Sequence, residues 1–161
     1  MSETSRTWFI TGCSSGFGRS IAEAALLVGD DVIATARRQE DLEMLEHVGA
    51  GRCHGLVLDI TDAEQVRSVL TAAAQFTGKI DVCVNNAGYG LIGAIEECSE
   101  EKTRRNFETN FFGTLNVIRA VLPIMRTQKS GHIINISAAA AISNYPGFGV
   151  YGAAKAAVES L

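Results

Sequence analysis

The chain has 161 residues, 47% of them hydrophobic, and a formal net charge of −4 at pH 7. This composition predicts one folded domain with a sizeable core, and the charge argues against a nucleic-acid partner or binding to an anionic membrane. No apolar stretch approaches the roughly 18 residues that cross a bilayer, and the spacing of the four cysteines predicts no metal site. We expect a cytoplasmic protein whose residues 1–6 form a short flexible N-terminus.

Short apolar runs alternate with helical stretches, which is the pattern of βαβ units around a parallel sheet. Five strands are predicted, over 7–11, 31–36, 54–58, 81–85 and 132–137. Helices are predicted over 16–28, 40–47, 61–76 and 99–128, and from about Val150 onward. Thr61 and Glu64 have the spacing of a capping box, and Pro123 should kink or break the long fourth helix. These elements predict an α/β fold.

A glycine-rich turn follows the first strand directly. Gly12 allows a tight turn, Gly16 lets the backbone approach a phosphate, and Gly18 lets the helix pack closely on the sheet. Unpaired N–H groups at a helix N-terminus attract a pyrophosphate. Between a strand and a helix, this pattern predicts a dinucleotide site, the alternative being a structural turn without a ligand. The residues expected to contact the dinucleotide are Gly12, Ser14, Ser15, Gly16, Phe17 and Gly18.

The end of the second strand indicates which dinucleotide is preferred. An acid there would hold the ribose 2′-hydroxyl of NAD, but Asp30 and Asp31 stand at the start of this strand. Arg37 and Arg38 follow its end, and a guanidinium matches a phosphate. The sequence therefore favours NADP over NAD, the alternative being two solvated surface arginines.

Tyr151 and Lys155 are four residues apart and lie on one face of the last predicted helix. A free tyrosine has a pKa of about 10, so it is a poor base at neutral pH. A neighbouring cation favours the phenolate and should lower that pKa. The pair therefore indicates acid–base chemistry.

The glycine turn, the Asn85-Asn86-Ala87-Gly88 segment and the Tyr151/Lys155 pair together resemble the short-chain dehydrogenase/reductase family of NAD(P)-dependent oxidoreductases. The resemblance covers the chain from about Thr7 onward and implies a doubly wound, Rossmann-like parallel sheet over 7–161. It also implies a homodimer or homotetramer when the domain is complete.

The resemblance implies roles for individual residues. Tyr151 would exchange a proton with the substrate oxygen, Lys155 would hold the nicotinamide ribose, and Asn110 would hold a water in a proton relay. Residues implied to lie beside the cofactor are Asp59 and Ile60, at the adenine, and Asn86, Ala87 and Gly88. For the neighbouring Asn85 a structural role is the alternative, because a short polar side chain at a strand end often only ties down a loop.

Two features depart from the family pattern. The family serine stands 13 residues before the tyrosine, where this chain has Ala138. Ser137 is adjacent, but side chains alternate along a strand, so its hydroxyl should point away from a substrate. The doubly wound fold has six strands and only five are predicted here. We therefore expect a C-terminally incomplete domain that ends inside the helix carrying Tyr151 and Lys155.

The sequence predicts an oxidoreductase that transfers hydride between NADP(H) and a carbonyl or secondary alcohol. The apolar loop 145–149, just before Tyr151, favours an apolar small molecule as the substrate. One alternative is a nucleotide-binding fragment impaired by the missing serine, and another is a scaffold that keeps the fold without catalysis.

Overall fold

The protein is described from a computed structural model, which covers residues 5–161. The predicted flexible segment 1–6 therefore lies mostly outside the described residues. Among those described, no helix is long and apolar enough to cross a membrane.

A parallel sheet of five strands forms the centre of the molecule. The strands are β1 (Thr7–Ile10), β2 (Asp31–Ala36), β3 (Cys53–Val57), β4 (Val82–Asn85) and β5 (His132–Asn135). Their order in the sheet is β3-β2-β1-β4-β5, so the winding direction reverses between β1 and β4. This order confirms the predicted doubly wound fold and places the crevice for a ligand at the carboxyl ends of β1 and β4.

Helices cover both faces of the sheet. They are α1 (Gly16–Leu27), α2 (Glu43–Gly49), α3 (Ala63–Thr77), α4 (Glu100–Phe107), α5 (Thr114–Gln128) and α6 (Gly149–Glu159). One core cluster buries apolar side chains of α1 and α2 against the sheet, and the other buries those of α3 and α5. Parallel strands need this double cover because both of their faces are apolar.

Two predicted helix features are wrong in detail. The N-cap of α3 is Asp62 rather than Thr61, because the Asp62 carboxylate accepts the N–H groups of Glu64 and Gln65. Pro123 does not break its helix, since α5 is continuous from Thr114 to Gln128, and the predicted kink stays a prediction. Pro123 and Arg119 are both exposed, so solvent can hydrate the carbonyl that a proline leaves without a donor.

The long helix predicted over 99–128 changes its geometry before Pro123, at residues 108–113. Residues Glu108–Gly113 form a π-helical turn between α4 and α5. Such turns are rare and occur often at functional sites. This one holds Asn110, a predicted site residue.

Candidate active site

A cleft of about 1310 Å³ opens at the carboxyl edge of the sheet, across β1 and β4. Most of the predicted site residues line it: Gly12, Ser14, Ser15, Gly16, Phe17, Arg37, Asp59, Ile60, Asn86, Ala87, Gly88, Tyr151 and Lys155. The predicted residues outside this lining are Gly18, Arg38, Asn110 and Ala138.

The glycine turn has the geometry of a phosphate cradle. Gly12 and Gly16 have left-handed φ values of +73° and +58°, which glycine adopts without strain. A Cβ on Gly12 would lie 2.8 Å from the Cα of Ala87, and one on Gly18 would collide with the Gly12 carbonyl and the Asn86 amide. Ser15 caps α1 without a side-chain hydrogen bond, so the first N–H groups of α1 are available to an anion. These residues fit a dinucleotide pyrophosphate.

Thr11, which sequence reasoning missed, joins the glycine turn to the loop after β4. Its Oγ1 accepts the N–H groups of Asn86 and Ala87, both at 3.0 Å, and donates to the carbonyl of Val84. Asn86 in turn donates from Nδ2 to the carbonyl oxygens of Thr11 (2.9 Å) and Gly12 (3.0 Å). The only hint in the sequence is a hydroxyl residue between a strand and its glycine.

Asn85 has the structural role that was the alternative for it. Its Nδ2 donates to Oδ1 of Asn135 at 2.8 Å, which links the ends of β4 and β5. Asp59 also makes local bonds, since its Oδ1 accepts both the N–H and the hydroxyl of Thr61.

The two arginines after β2 have different surroundings. Arg37 lines the main cleft and a smaller cavity beside it. Arg38 lines only the smaller cavity and donates two hydrogen bonds to Asp41, at 3.0 and 2.7 Å. Asp41 was not singled out from the sequence, although it lies three positions after Arg38 and one helical turn brings such a pair together.

Helix α6 carries the proposed acid–base pair. Lys155 is 5% exposed, and its Nζ donates to the carbonyl of Ile136 at 2.8 Å. Burial lowers the pKa of Lys155 and raises that of Tyr151 above its ordinary value. The predicted lowering of the Tyr151 pKa is therefore wrong for this structure, because desolvation of the phenol dominates.

Asn110 lies behind the cleft rather than in its wall. Its side chain is fully buried, donates to the carbonyls of Tyr89 (2.9 Å) and Asn106 (3.1 Å), and accepts the Tyr89 N–H (3.2 Å). The amide thus fixes the loop that follows Gly88. The role of holding a water stays a prediction.

Ala138, at the predicted position of the family serine, and its neighbour Ser137 differ in their contact with the cleft. Ser137 lines the cleft, but its Oγ is buried and has no hydrogen-bond partner among the described residues. Ala138 follows in extended conformation, with φ −152° and ψ 154°. Consecutive extended residues point their side chains in opposite directions, so the two positions cannot both face a substrate.

A family model described as short chain dehydrogenase matches residues 6–161. Among curated relatives, an oxidoreductase of Botryotinia fuckeliana is 44% identical over 154 residues, covering 95% of this chain and 56% of that protein. A 3-ketodihydrosphingosine reductase of Bacteroides thetaiotaomicron is 39% identical over 150 residues, covering 93% of this chain and 53% of that protein. The chain therefore spans little more than half the length of these relatives.

Solved structures agree in fold. A short-chain dehydrogenase from Streptomyces avermitilis superposes with a TM-score of 0.94 at 45% identity, covering 99% of this chain and 59% of that one. A short-chain dehydrogenase/reductase from Burkholderia phymatum in complex with NAD gives 0.92 at 31% identity, with 97% and 57% covered. ElxO with NADP bound gives 0.91 at 29% identity, with 98% and 65% covered. Structures similar to this chain thus bind NAD in one case and NADP in another.

Proposed function

Because the chain belongs to the short-chain dehydrogenase family, we propose that it is an oxidoreductase that transfers hydride between NADP(H) and an apolar carbonyl compound or secondary alcohol. One observation carries the proposal. A single cleft brings together the glycine turn, Arg37 and the Tyr151/Lys155 pair, which are separated widely along the chain.

The chain's own residues would hold the dinucleotide along this cleft. The first turn of α1 would bind its pyrophosphate, Asp59 and Ile60 would lie at its adenine, and Lys155 would hold its nicotinamide ribose. Arg37 would pair with the 2′-phosphate that distinguishes NADP from NAD. When bound, the nicotinamide supplies or accepts the hydride.

Tyr151 would hold the proton that balances hydride transfer. In reduction its Oη would donate a proton to the carbonyl oxygen, and in oxidation the phenolate would take the proton of the alcohol. Burial raises the pKa of Tyr151 above its ordinary value, so the phenol of the cofactor-free protein carries its proton at neutral pH.

Two observations support an apolar ketone as the substrate. Apolar side chains stand exposed on the loops after β4 and β5, at Ile92 (70%), Ile142 (85%) and Tyr145 (57%). The Tyr145 ring packs on Phe148, which in turn lies 6.3 Å from the Tyr151 ring. The similarity to a 3-ketodihydrosphingosine reductase supports a ketone as the group that reacts. An apolar rim around a few polar groups is typical of sites for small molecules.

A binding titration with NADPH and NADH at one ionic strength tests the cofactor assignment. We expect tighter binding of NADPH, and loss of about tenfold or more of that affinity in Arg37→Ala, because a charge-assisted hydrogen bond is lost. Arg67→Ala, which removes an exposed arginine of α3, is the matched control. Equal affinities for the two dinucleotides would contradict the assignment to NADP.

Measurements of turnover test whether the chain catalyses the proposed reaction. A panel of ketones with NADPH should be reduced by the wild-type chain and not by Tyr151→Phe, which keeps the ring but has no proton to give. Binding of the cofactor without turnover of any ketone or alcohol would favour the impaired nucleotide-binding fragment. Absence of cofactor binding would favour a scaffold.

A further inference from the structure

A smaller cavity of about 590 Å³ continues the main cleft beyond the glycine turn. It shares Ser14, Ser15 and Arg37 with the cleft, and its remaining lining residues are Arg38 and Asp41. If the cleft holds a dinucleotide as proposed, this cavity lies past the end of β2, where the adenosine ribose and its 2′-substituent would be.

Asp41 engages the guanidinium of Arg38 from one side of this cavity. Nε and Nη2 of Arg38 donate to the two carboxylate oxygens of Asp41, at 3.0 and 2.7 Å. Nη1 of Arg38 lies 3.3 Å from Oε1 of Glu40. A planar guanidinium held in this bidentate way has few donors left for a phosphate.

Two further guanidiniums lie near the same carboxylate. Nη2 of Arg19 donates to the backbone carbonyl of Asp41 at 3.2 Å, and Nε of Arg19 is buried without a partner among the described residues. The pKa of Asp41 is lowered first by the hydrogen bonds from Arg38, and the charges of Arg38, Arg19 and Arg37 lower it further. Asp41 thus pairs directly with Arg38, contacts Arg19 through its backbone carbonyl and lines the same cavity as Arg37.

We propose that Asp41 is a specificity-determining residue: it is the internal counter-ion of the arginine cluster at the ribose 2′ position, and it restrains the preference for NADP that Arg37 confers. A 2′-phosphate entering the cavity meets the like charge of Asp41 and finds Arg38 already occupied. This inference rests on the proposed function, because it assumes a dinucleotide in the cleft.

Asp41→Asn is the direct test. We expect the Kd of NADPH to fall by about fivefold, since two like charges about 4 Å apart in water repel by an energy equivalent to that factor. The Kd of NADH should stay unchanged. The NADPH affinity of the variant should also depend more steeply on salt, because one more cation is free to pair with the phosphate.

Glu40→Gln is the matched control, since it removes the same charge from the same turn and leaves the bidentate Arg38–Asp41 pair intact. Because Glu40 is 66% exposed and makes one contact with Arg38, whereas Asp41 is 21% exposed, we expect Glu40→Gln to lower the Kd of NADPH by much less than Asp41→Asn and to leave that of NADH unchanged. An Asp41→Asn variant with an unchanged ratio of NADPH to NADH affinity would overturn the proposal. Weaker NADH binding without tighter NADPH binding would also overturn it, by indicating that Asp41 accepts the 2′-hydroxyl of NAD.

If the proposed function itself is wrong, the outcome is different, because neither dinucleotide then binds the wild-type chain. Far-UV circular dichroism and thermal melting check that each variant is folded. Asp41→Ser, which also removes the charge, provides a second variant if Asp41→Asn does not fold, and the same shift in the affinity ratio is expected.

Discussion

The sequence pattern predicts that Ala138 stands where the family has a serine. The family pattern implies that a hydroxyl at this position adds one hydrogen bond to the reacting oxygen, although Ala138 itself does not line the cleft. On that ground we expect Ala138→Ser to raise kcat/KM for ketone reduction by about 10²–10³. NADPH oxidation in the presence of the ketone measures the change. Ser137→Ala is the matched variant, and we expect a small effect because the Ser137 hydroxyl is buried. The reverse outcome would show that the register is shifted by one residue.

Tyr151 should make the stability of the folded chain depend on pH in the alkaline range. Burial raises its pKa in the folded state above the ordinary value of about 10. The folded state therefore binds this proton more tightly than the unfolded state, so the resulting stability is present below pH 10 and is lost as pH rises through the folded-state pKa.

We expect the melting temperature of the wild-type chain to fall relative to that of Tyr151→Phe as the pH rises above about 10. Between pH 7 and 9 the difference between the two proteins should stay constant, which serves as the internal control. Thermal melts followed by circular dichroism at each pH measure it. Parallel curves over the whole range would contradict a raised pKa.

Among the elements, the π-helical turn depends most clearly on one side chain. The buried Asn110 amide makes three hydrogen bonds, two of them to the backbone of Tyr89. Asn110→Ala would leave the Tyr89 N–H and the Asn106 carbonyl without this partner. We expect it to lower the free energy of unfolding by about 2–3 kcal/mol.

Urea unfolding measures this loss. Asn116→Ala is the control, because Nδ2 of Asn116 makes a single hydrogen bond from α5 to the carbonyl of Ile60 at 3.1 Å, and about 1 kcal/mol is expected there. Losses of the same size in the two variants would mean that the turn does not depend on Asn110.

The elements that could be predicted are those in which local pattern and tertiary packing agree. Apolar runs such as 31–36 became buried strands, and the glycine turn stands between β1 and α1 as its spacing predicts. The π-helical turn could not be predicted, because its side chains continue the helical periodicity on either side. The Arg38–Asp41 pair and the Thr11 contacts depend on loop conformation and on strand order, which a single sequence does not contain.

On the scale of the whole molecule, several large apolar side chains stay exposed to solvent. Ile92, Ile142 and Tyr145 are exposed on the loops that follow β4 and β5, and Leu27 and Val28 are exposed at the far end of α1. We expect the dye ANS to bind the first three side chains, because their loops leave the carboxyl edge of the sheet, where the cleft opens. Ile92→Ser combined with Ile142→Ser should lower ANS fluorescence, whereas Leu27→Ser combined with Val28→Ser should not. Equal decreases would show that the dye reports general surface apolarity.

The Thr11 hydroxyl also bears on the order in which the protein folds. It is bonded to residues 73 to 76 positions further along the chain, across the junction of β1 and β4. Closing a loop of that length costs entropy that helices α1 to α3 do not have to overcome, so contacts of this range form slowly. We therefore expect the glycine turn to acquire its final shape only when β4 has docked. During refolding, binding of the proposed dinucleotide should then begin with that docking, later than the rise of the helical circular dichroism signal.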